Sequence, residues 1–142
     1  DVAVKHDITN TSGQEIAPQL YVQLVRDGNK LANESSFYST FTGPAVYTEA
    51  KKYQKVEFAK IKKKEADFEK QSNVGYIAMV QHYFASAWWL PNNLQRDIFA
   101  RKIDNNLYSV GMIAALPPLE AGKSQSLAAR DFRMASPSVG RL

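Results

Sequence analysis

Hydrophobic and polar residues alternate along much of the chain, and the first alternation begins near the N-terminus. Residues 2–9 follow a period of two, a pattern typical of a half-buried β-strand. Residues 10–13, Asn-Thr-Ser-Gly, indicate a turn, because Asn and Gly accept positive φ angles. The alternation resumes over residues 16–26, with Leu20 and Val22 on one face. We therefore predict that these two strands pair as a hairpin.

Turn residues mark further strands in both halves of the chain. Residues 37–42 alternate again, and Gly43-Pro44 is expected to end or bend that strand. Residues 97–103 and 107–116 flank the turn segment Asp104-Asn105-Asn106. This arrangement predicts a hairpin with positive φ at both central Asn residues.

Residues 76–90 are apolar on both faces of the alternating pattern. Their β-branched and aromatic side chains, such as Ile77, Val80 and Trp88, favour a strand over a helix. We predict one strand that is buried on both faces. A last strand is predicted for residues 124–134.

Residues 48–58 are the best candidate for a helix. Thr48 is suited to cap the first turn, and Tyr53 and Val56 are three residues apart, as on one face of a helix. We expect a short surface helix that is held by packing. The charged stretch that follows, residues 61–71, predicts an exposed strand or loop.

These patterns together predict seven or eight short strands and one short helix. A chain of 142 residues is long enough for a single domain with its own core. Short strands at regular intervals are typical of an antiparallel sandwich or barrel. The predicted fold class is therefore mainly β, an antiparallel β-sandwich with one short helix.

The net charge of +4 comes largely from one segment. Residues 51–64 contain seven Lys and a single acid, Glu57. The plain interpretation is a solvated surface, and the alternatives are a surface for nucleic acid, anionic lipid or an acidic protein. The aromatic residues between these Lys follow a helical spacing, which favours packing over binding of single-stranded nucleic acid. Lys51, Lys52 and Lys55 are the candidate contact residues here.

The composition also bears on compartment and topology. The chain has no Cys, which excludes disulfides, thiolate nucleophiles and Cys-based zinc sites. It contains no apolar run long enough to cross a bilayer and no basic, apolar leader at its N-terminus. It begins and ends inside patterned segments, so we expect it to be a piece of a longer protein.

The sequence contains none of the common catalytic motifs. Its Gly residues match neither the phosphate-binding nor the dinucleotide pattern, and no Gly-x-Ser-x-Gly elbow is present. Neither His6 nor His82 has an acid or a second His at ligand spacing, which disfavours a metal site. His82 is expected to be a structural core residue. The alternative is a general acid or base, for which no partner can be nominated, and no cofactor is expected.

Trp88 and Trp89 are adjacent in a predicted strand and should point to opposite faces. One is expected to fill the core, while the other covers it beneath a loop or lies exposed at a cleft or partner surface. The candidate cleft or partner-contact residues of the whole chain are Tyr21, Gln81, His82, Tyr83, Trp89, Lys51, Lys52 and Lys55.

Two segments together resemble a known family. They are YTEAKKYQKVEF at residues 47–58 and GYIAMVQHYFASAWWLP at residues 75–91. Both are similar to the periplasmic domain of the YidC membrane insertase family. Residues 7–13 and 119–122 resemble it more weakly. The matching positions are Tyr53, Lys55, Phe58, Gly75, Tyr76, Ile77, Ala78, Met79, Val80, Gln81, Tyr83, Phe84, Ser86, Ala87 and Trp88.

The resemblance implies a twisted β-supersandwich, similar in fold to aldose epimerases, at the periplasmic face of the bacterial inner membrane. It implies that residues 1–142 are the C-terminal part of a larger periplasmic domain that precedes the membrane helices responsible for insertion. It further implies a non-enzymatic role without a cofactor. The implied partners are the SecD–SecF accessory subunits of the Sec translocon and membrane-protein clients.

Two alternatives stay open beside this interpretation. An epimerase-like domain that binds or processes sugar would need a His acid and a Glu base facing one sugar, and beyond His82 the sequence offers no matching Glu motif. A surface for anionic lipid over residues 51–64 is compatible with the docking role.

Overall fold

The computed structural model describes residues 2–29, 41–81 and 84–135. Within these ranges ten strands and one five-residue helix build two antiparallel sheets, which confirms the predicted β-sandwich with one short helix. The elements are β1 (Val2–Thr9), β2 (Gln19–Asp27), β3 (Gly43–Thr48), β4 (Lys52–Lys55), α1 (Phe58–Lys62), β5 (Gln71–Ser72), β6 (Gly75–Val80), β7 (Phe84–Trp89), β8 (Arg96–Asp104), β9 (Leu107–Ala115) and β10 (Ser124–Ala135).

The two sheets differ in size. The larger has six strands in the order β1-β10-β7-β6-β3-β4, and the smaller has four in the order β2-β9-β8-β5. The core lies between them, where Val22, Ile77, Val110 and Met112 belong to one buried cluster. Each such aliphatic side chain contributes about 2 kcal/mol through burial. Ile61 of α1 joins the same cluster, so the helix covers part of the core beside β8.

β1 and β2 form close to where they are predicted, but they do not pair with each other. β1 pairs with β10 and β2 pairs with β9, so the predicted hairpin is wrong. The connection between them is anchored by buried Asn10, whose Nδ2 donates hydrogen bonds to the carbonyl oxygens of Gln14 at 2.7 Å and Leu119 at 2.9 Å. Leu119 lies between β9 of the smaller sheet and β10 of the larger one. These contacts therefore join the two connections that cross between the sheets.

The predicted helix over residues 48–58 is also wrong. The Oγ1 of Thr48 does accept a hydrogen bond from a backbone N–H three residues later, at 3.2 Å, as a helix cap would. Lys52 then takes a positive φ of 57°, and the chain reverses into β4. Tyr53 comes to lie opposite Tyr47 across the β3–β4 pair. The cross-strand aromatic pair outweighs the three-residue spacing that suggested a helix.

Residues 76–90 form the β6–β7 hairpin and not one long strand. All residues of β6 are buried, so the prediction of burial on both faces holds for that half. In the hairpin, Ile77 lies opposite Trp88, and Ala78 opposite Ala87. A single strand over the whole stretch would run for about 50 Å, far beyond the six residues of β3 with which β6 pairs.

The remaining strand predictions have mixed outcomes. The hairpin of β8 and β9 and the last strand, β10, are confirmed. Of the two central Asn residues of the hairpin turn, only Asn106 has a positive φ, so the turn differs from the one predicted. Most of the predicted third strand, residues 37–40, lies outside the described residues, and Gly43-Pro44 begins β3 where the sequence suggested an end or a bend.

Candidate partner-binding surfaces

The outer faces of the two sheets differ in their exposure to solvent. On the six-stranded sheet, Ala45, Ala78 and Ala87 lie side by side on neighbouring strands and are each 0% exposed. On the four-stranded sheet, Tyr21 and Val25 are 42% and 45% exposed. The larger sheet is therefore closed over β3, β6 and β7 and exposes polar residues such as Lys5 and Asp7 at β1, whereas the smaller sheet exposes apolar side chains.

The outer face of the smaller sheet carries four side chains that we call the Tyr21 face: Tyr21, Phe99 and Arg101, which contact one another, and Val25, which is exposed on the same side of β2. The rings of Tyr21 and Phe99 are 5.3 Å apart between centroids, and the Arg101 guanidinium lies 4.6 Å above the Phe99 ring. Arg101 Nη2 donates a hydrogen bond of 2.6 Å to Tyr21 Oη. Tyr21 Oη in turn donates to Gln23 Oε1 at 3.2 Å. These contacts hold an aromatic pair and a cation in a fixed arrangement.

The position of Phe99 depends on Gly111, its cross-strand partner in β9. A Cβ atom at Gly111 would lie 2.3 Å from Cζ of Phe99, so the ring occupies the space that a side chain at position 111 would need. Phe99 thereby covers the glycine and contacts Tyr21 of β2, the strand on the far side of β9. Glycine within a strand commonly marks such a close approach.

An aromatic row crosses the outer face of the six-stranded sheet. Tyr53, Tyr47, Tyr76 and Trp89 occupy opposing positions on β4, β3, β6 and β7. The rings of Tyr47 and Tyr76 are stacked with centroids 5.3 Å apart, and those of Tyr76 and Trp89 are 4.7 Å apart. Trp88 packs instead against the core between the sheets, so the two Trp rings point to opposite faces as predicted.

The phenols of this row are shielded from water. Burial, together with the neighbouring Tyr53 and Tyr47, raises the pKa of Tyr76 to about 12. Burial also raises the pKa of Tyr53, whose hydroxyl is among the buried groups that lack a hydrogen-bond partner in the described part of the chain. The row is thus a packed layer, and Trp89 is half-buried within it.

Gln81, another candidate residue, lies at the junction of the two sheets. Gln81 follows β6 and accepts a hydrogen bond of 3.1 Å from Arg26 Nε of β2, which links the two sheets beside a groove of about 250 Å³. His82 and Tyr83 lie outside the described residues, so the acid–base interpretation of His82 stays untested.

The three candidate Lys residues lie at the far edge of the six-stranded sheet. Lys51 and Lys52 are at the turn between β3 and β4, and Lys55 ends β4. The Nζ of Lys55 lies 5.4 Å above the ring of Phe41. Because Tyr21 belongs to the other sheet, the candidates that the structure describes are spread over both sheets and do not converge on one site.

A groove that the sequence did not indicate lies between β8 and the segment from α1 to β5. We call it the β8 groove, and its volume is about 500 Å³. Residues 61–71, predicted as an exposed strand or loop, leave α1 after Lys62 and run without regular structure to β5. No local pattern pairs this segment with β8, so only the fold brings the two walls together. The groove is lined by Ile61, Lys62, Lys64, Ala66, Phe68, Lys70, Ile98, Phe99, Ala100, Arg101 and Lys102.

Arg96 is a second residue that the sequence did not single out. Its side chain is 1% exposed, and burial lowers the pKa of the guanidinium. All of its hydrogen bonds in the described chain go to backbone oxygens. These belong to Asn73, Gly75, Leu90, Pro91 and Leu94. Arg96 therefore fixes the loops at one end of the sandwich.

The described residues contain neither a cluster of metal ligands nor a membrane-spanning helix. In residues 2–29, 41–81 and 84–135, no group of three or more His, Asp or Glu is arranged to hold a metal ion. The helix in that part of the chain is too short to cross a membrane.

Comparison with known proteins finds relatives over nearly the whole chain. A family model described as the YidC periplasmic domain matches residues 1–133. The membrane protein insertase YidC of Janthinobacterium sp. (strain Marseille) is 49% identical over 126 residues, which are 89% of this chain and 22% of that protein. The protein of the same name from Cupriavidus metallidurans is 47% identical over 131 residues, 92% of this chain and 23% of that protein.

The chain thus spans less than a quarter of the length of these curated relatives. The matched region includes both motif segments, residues 47–58 and 75–91, which carried the resemblance in the sequence. The match also agrees with the two-sheet fold. The chain belongs to the YidC periplasmic domain family, which places it at the periplasmic face of the bacterial inner membrane.

Proposed function

We propose that this chain is a non-catalytic docking domain of a membrane protein insertase. It forms the C-terminal part of a larger periplasmic domain and binds the SecD–SecF accessory subunits, or clients that they deliver, during insertion and folding of inner-membrane proteins. It needs no cofactor, because its contribution is binding and not a chemical step. The names of its relatives support the insertase context.

The observation that carries this proposal is the Tyr21 face. Tyr and Arg are enriched among the residues that dominate binding energy at protein interfaces, and here they are held together in advance. Arg101 is fixed by its contacts with Phe99 and Tyr21, so little side-chain entropy is lost when a partner docks. Val25 adds exposed apolar area on the same side of β2.

The outer face of the other sheet supports the same assignment by contrast. Over β3, β6 and β7, its alanine positions are buried and its aromatic residues pack on one another. A partner would have to displace that layer, whereas it could dock on the Tyr21 face without rearrangement.

Binding to SecD–SecF in lipid nanodiscs tests the proposal, with this chain immobilised and affinity read by surface plasmon resonance. We expect Tyr21→Ala and Val25→Glu each to weaken binding by about tenfold, because each removes or charges part of the docking face. Val2→Glu is the matched control, since Val2 is also an exposed strand valine but lies on β1 of the other sheet.

Thermal melts of all variants show whether they remain folded. Equal loss of affinity for Val25→Glu and Val2→Glu would count against the Tyr21 face. An absence of wild-type binding to SecD–SecF and to a client segment alike would overturn the proposed function.

A further inference from the structure

β8 is left without a partner strand along most of one edge. β5 pairs with it only at Arg96 and Asp97, and the described chain places no other strand on that side. The N–H of Ile98 points to this edge, where it donates a hydrogen bond of 2.7 Å to the carbonyl oxygen of Lys70. Because backbone groups alternate sides along a strand, those of Ala100 and Lys102 face the same edge. They look into the β8 groove.

The floor of the β8 groove is apolar. Ile61, Phe68 and Ile98 are buried and belong to the core cluster, while Ala66 and Ala100 are half-buried and pack against it. An extended segment placed along β8 would turn every second side chain toward this floor. Those side chains would therefore be apolar.

The rim of the groove is uniformly basic. Its lining includes no acid, and its five cations are all exposed: Lys62, Lys64, Lys70, Arg101 and Lys102. The neighbouring acids Glu65 and Asp67 line a separate groove of about 280 Å³. The salt bridges found in the described residues, Lys5–Asp7 and Lys60–Glu65, involve none of the five.

We infer that the β8 groove binds an extended acidic segment of a partner protein, which adds to the four-stranded sheet as a further strand beside β8. The inference rests on the proposed docking function and gives it a chemical specificity. Backbone hydrogen bonds to Ala100 and Lys102 hold the segment, its apolar side chains meet the floor, and its carboxylates meet the rim. The open edge of β8 supplies the backbone, and the segregated charge supplies the selectivity.

The structure favours a peptide over nucleic acid or lipid as the occupant. Binding of single-stranded nucleic acid relies on accessible aromatic rings, but Phe68 is buried in the floor and the Phe99 ring is already covered by Arg101. Anionic headgroups would meet the Lys residues but would leave the backbone of the β8 edge unpaired.

A fluorescein-labelled peptide of alternating Val and Glu is the probe, titrated with this chain and followed by fluorescence anisotropy. We expect binding that weakens as salt is added, since the rim charges are solvent-exposed. Amide hydrogen exchange at Ala100 and Lys102 should slow when the peptide is bound. The same peptide with alternate backbone nitrogens methylated should bind at least tenfold more weakly, because it cannot complete the ladder.

Charge reversal in the rim provides the matched test in the protein. Lys64→Glu with Lys102→Glu should weaken peptide binding by about tenfold or more. The control is Lys5→Glu with Lys123→Glu, which changes the net charge equally at exposed positions outside the groove. Circular dichroism should show that both double variants keep the β-sheet spectrum of the unmodified chain.

Three outcomes would overturn the inference. They are equal binding of the methylated peptide, unchanged exchange at Ala100 and Lys102, and stronger binding of an oligonucleotide or of phosphatidylglycerol vesicles that depends on the same Lys pair. The β8 groove assignment and the proposed function can fail separately. If SecD–SecF still binds through Tyr21 and Val25 while the peptide does not bind, only the β8 groove assignment fails.

Discussion

At the scale of single residues, the guanidinium of Arg96 connects backbone segments that are distant in sequence. Its nitrogens satisfy carbonyl oxygens before β6, at the start of β6 and after β7. No acid neutralises it within these contacts, so the carbonyl dipoles stabilise the buried charge. Such an arrangement needs the planar, multiply donating head group of Arg.

We predict that Arg96→Lys lowers the free energy of unfolding by about 3 kcal/mol, since a lysine cannot serve all of these carbonyls and several would stay buried and unpaired. Urea denaturation monitored by tryptophan fluorescence measures the change. Arg101→Lys, at an exposed position, should cost less than about 1 kcal/mol. Similar losses for both variants would refute the structural role of Arg96.

The sequence does not announce this role. Arg96 lies between polar Gln95 and charged Asp97, which is the pattern of an exposed position. Its burial arises only because Asn73 and Gly75, which lie 23 and 21 positions earlier in the chain, meet it at one point. Tyr21, by contrast, is one of the sequence candidates, but its neighbours Phe99 and Arg101 are some eighty positions away and no local pattern links them to it.

At the scale of elements, one local pairing was predictable, whereas the other hairpins and the distant pairings were not. The β8–β9 hairpin follows from two alternating runs around adjacent Asn residues. The pairing of β1 with β10 joins the two ends of the described chain, and nothing in residues 2–9 specifies it. The false helix over residues 48–58 arose because a short hairpin with two Tyr residues can mimic helical spacing.

Gly75 shows why part of the family motif must be glycine. Its φ is +125°, and a Cβ atom there would lie 1.9 Å from the carbonyl oxygen of Tyr47. Any side chain would therefore push β3 and β6 apart at the point where the aromatic row begins. The sequence resemblance located this position, and the packing of the two strands explains it.

Burial of Tyr76 in the aromatic row makes the free energy of unfolding fall at alkaline pH. The folded state raises the pKa of Tyr76 from 10.0 to about 12, so the unfolded chain loses its proton first. The free energy of unfolding that this pKa difference provides is fully present below pH 10. It falls by roughly 2 kcal/mol as the pH rises toward 12. Tyr76→Phe removes the ionisable group, and its unfolding free energy should fall less over this range. Equal losses for the wild type and Tyr76→Phe, measured by urea denaturation at each pH, would contradict this account.

At the scale of the whole molecule, the sandwich is asymmetric. One outer face is closed over β3, β6 and β7 by small and aromatic residues, and the other presents the Tyr21 face beside the basic β8 groove. The fold class and the family could be predicted from the sequence, because alternation and a long motif are both written in consecutive residues. The proposed binding surfaces could not, because each is assembled from strands that only the two-sheet topology brings together.

Photo-crosslinking in native membranes tests the central claim that the domain works by docking through its four-stranded sheet. An insertase that carries this chain as part of its periplasmic domain would hold a photo-activatable residue in place of Tyr21 or, as the control, of Val2. The account predicts strong adducts with SecD, SecF or a nascent client from position 21 and few from position 2. Adducts of equal strength from both positions, or from position 2 alone, would contradict it.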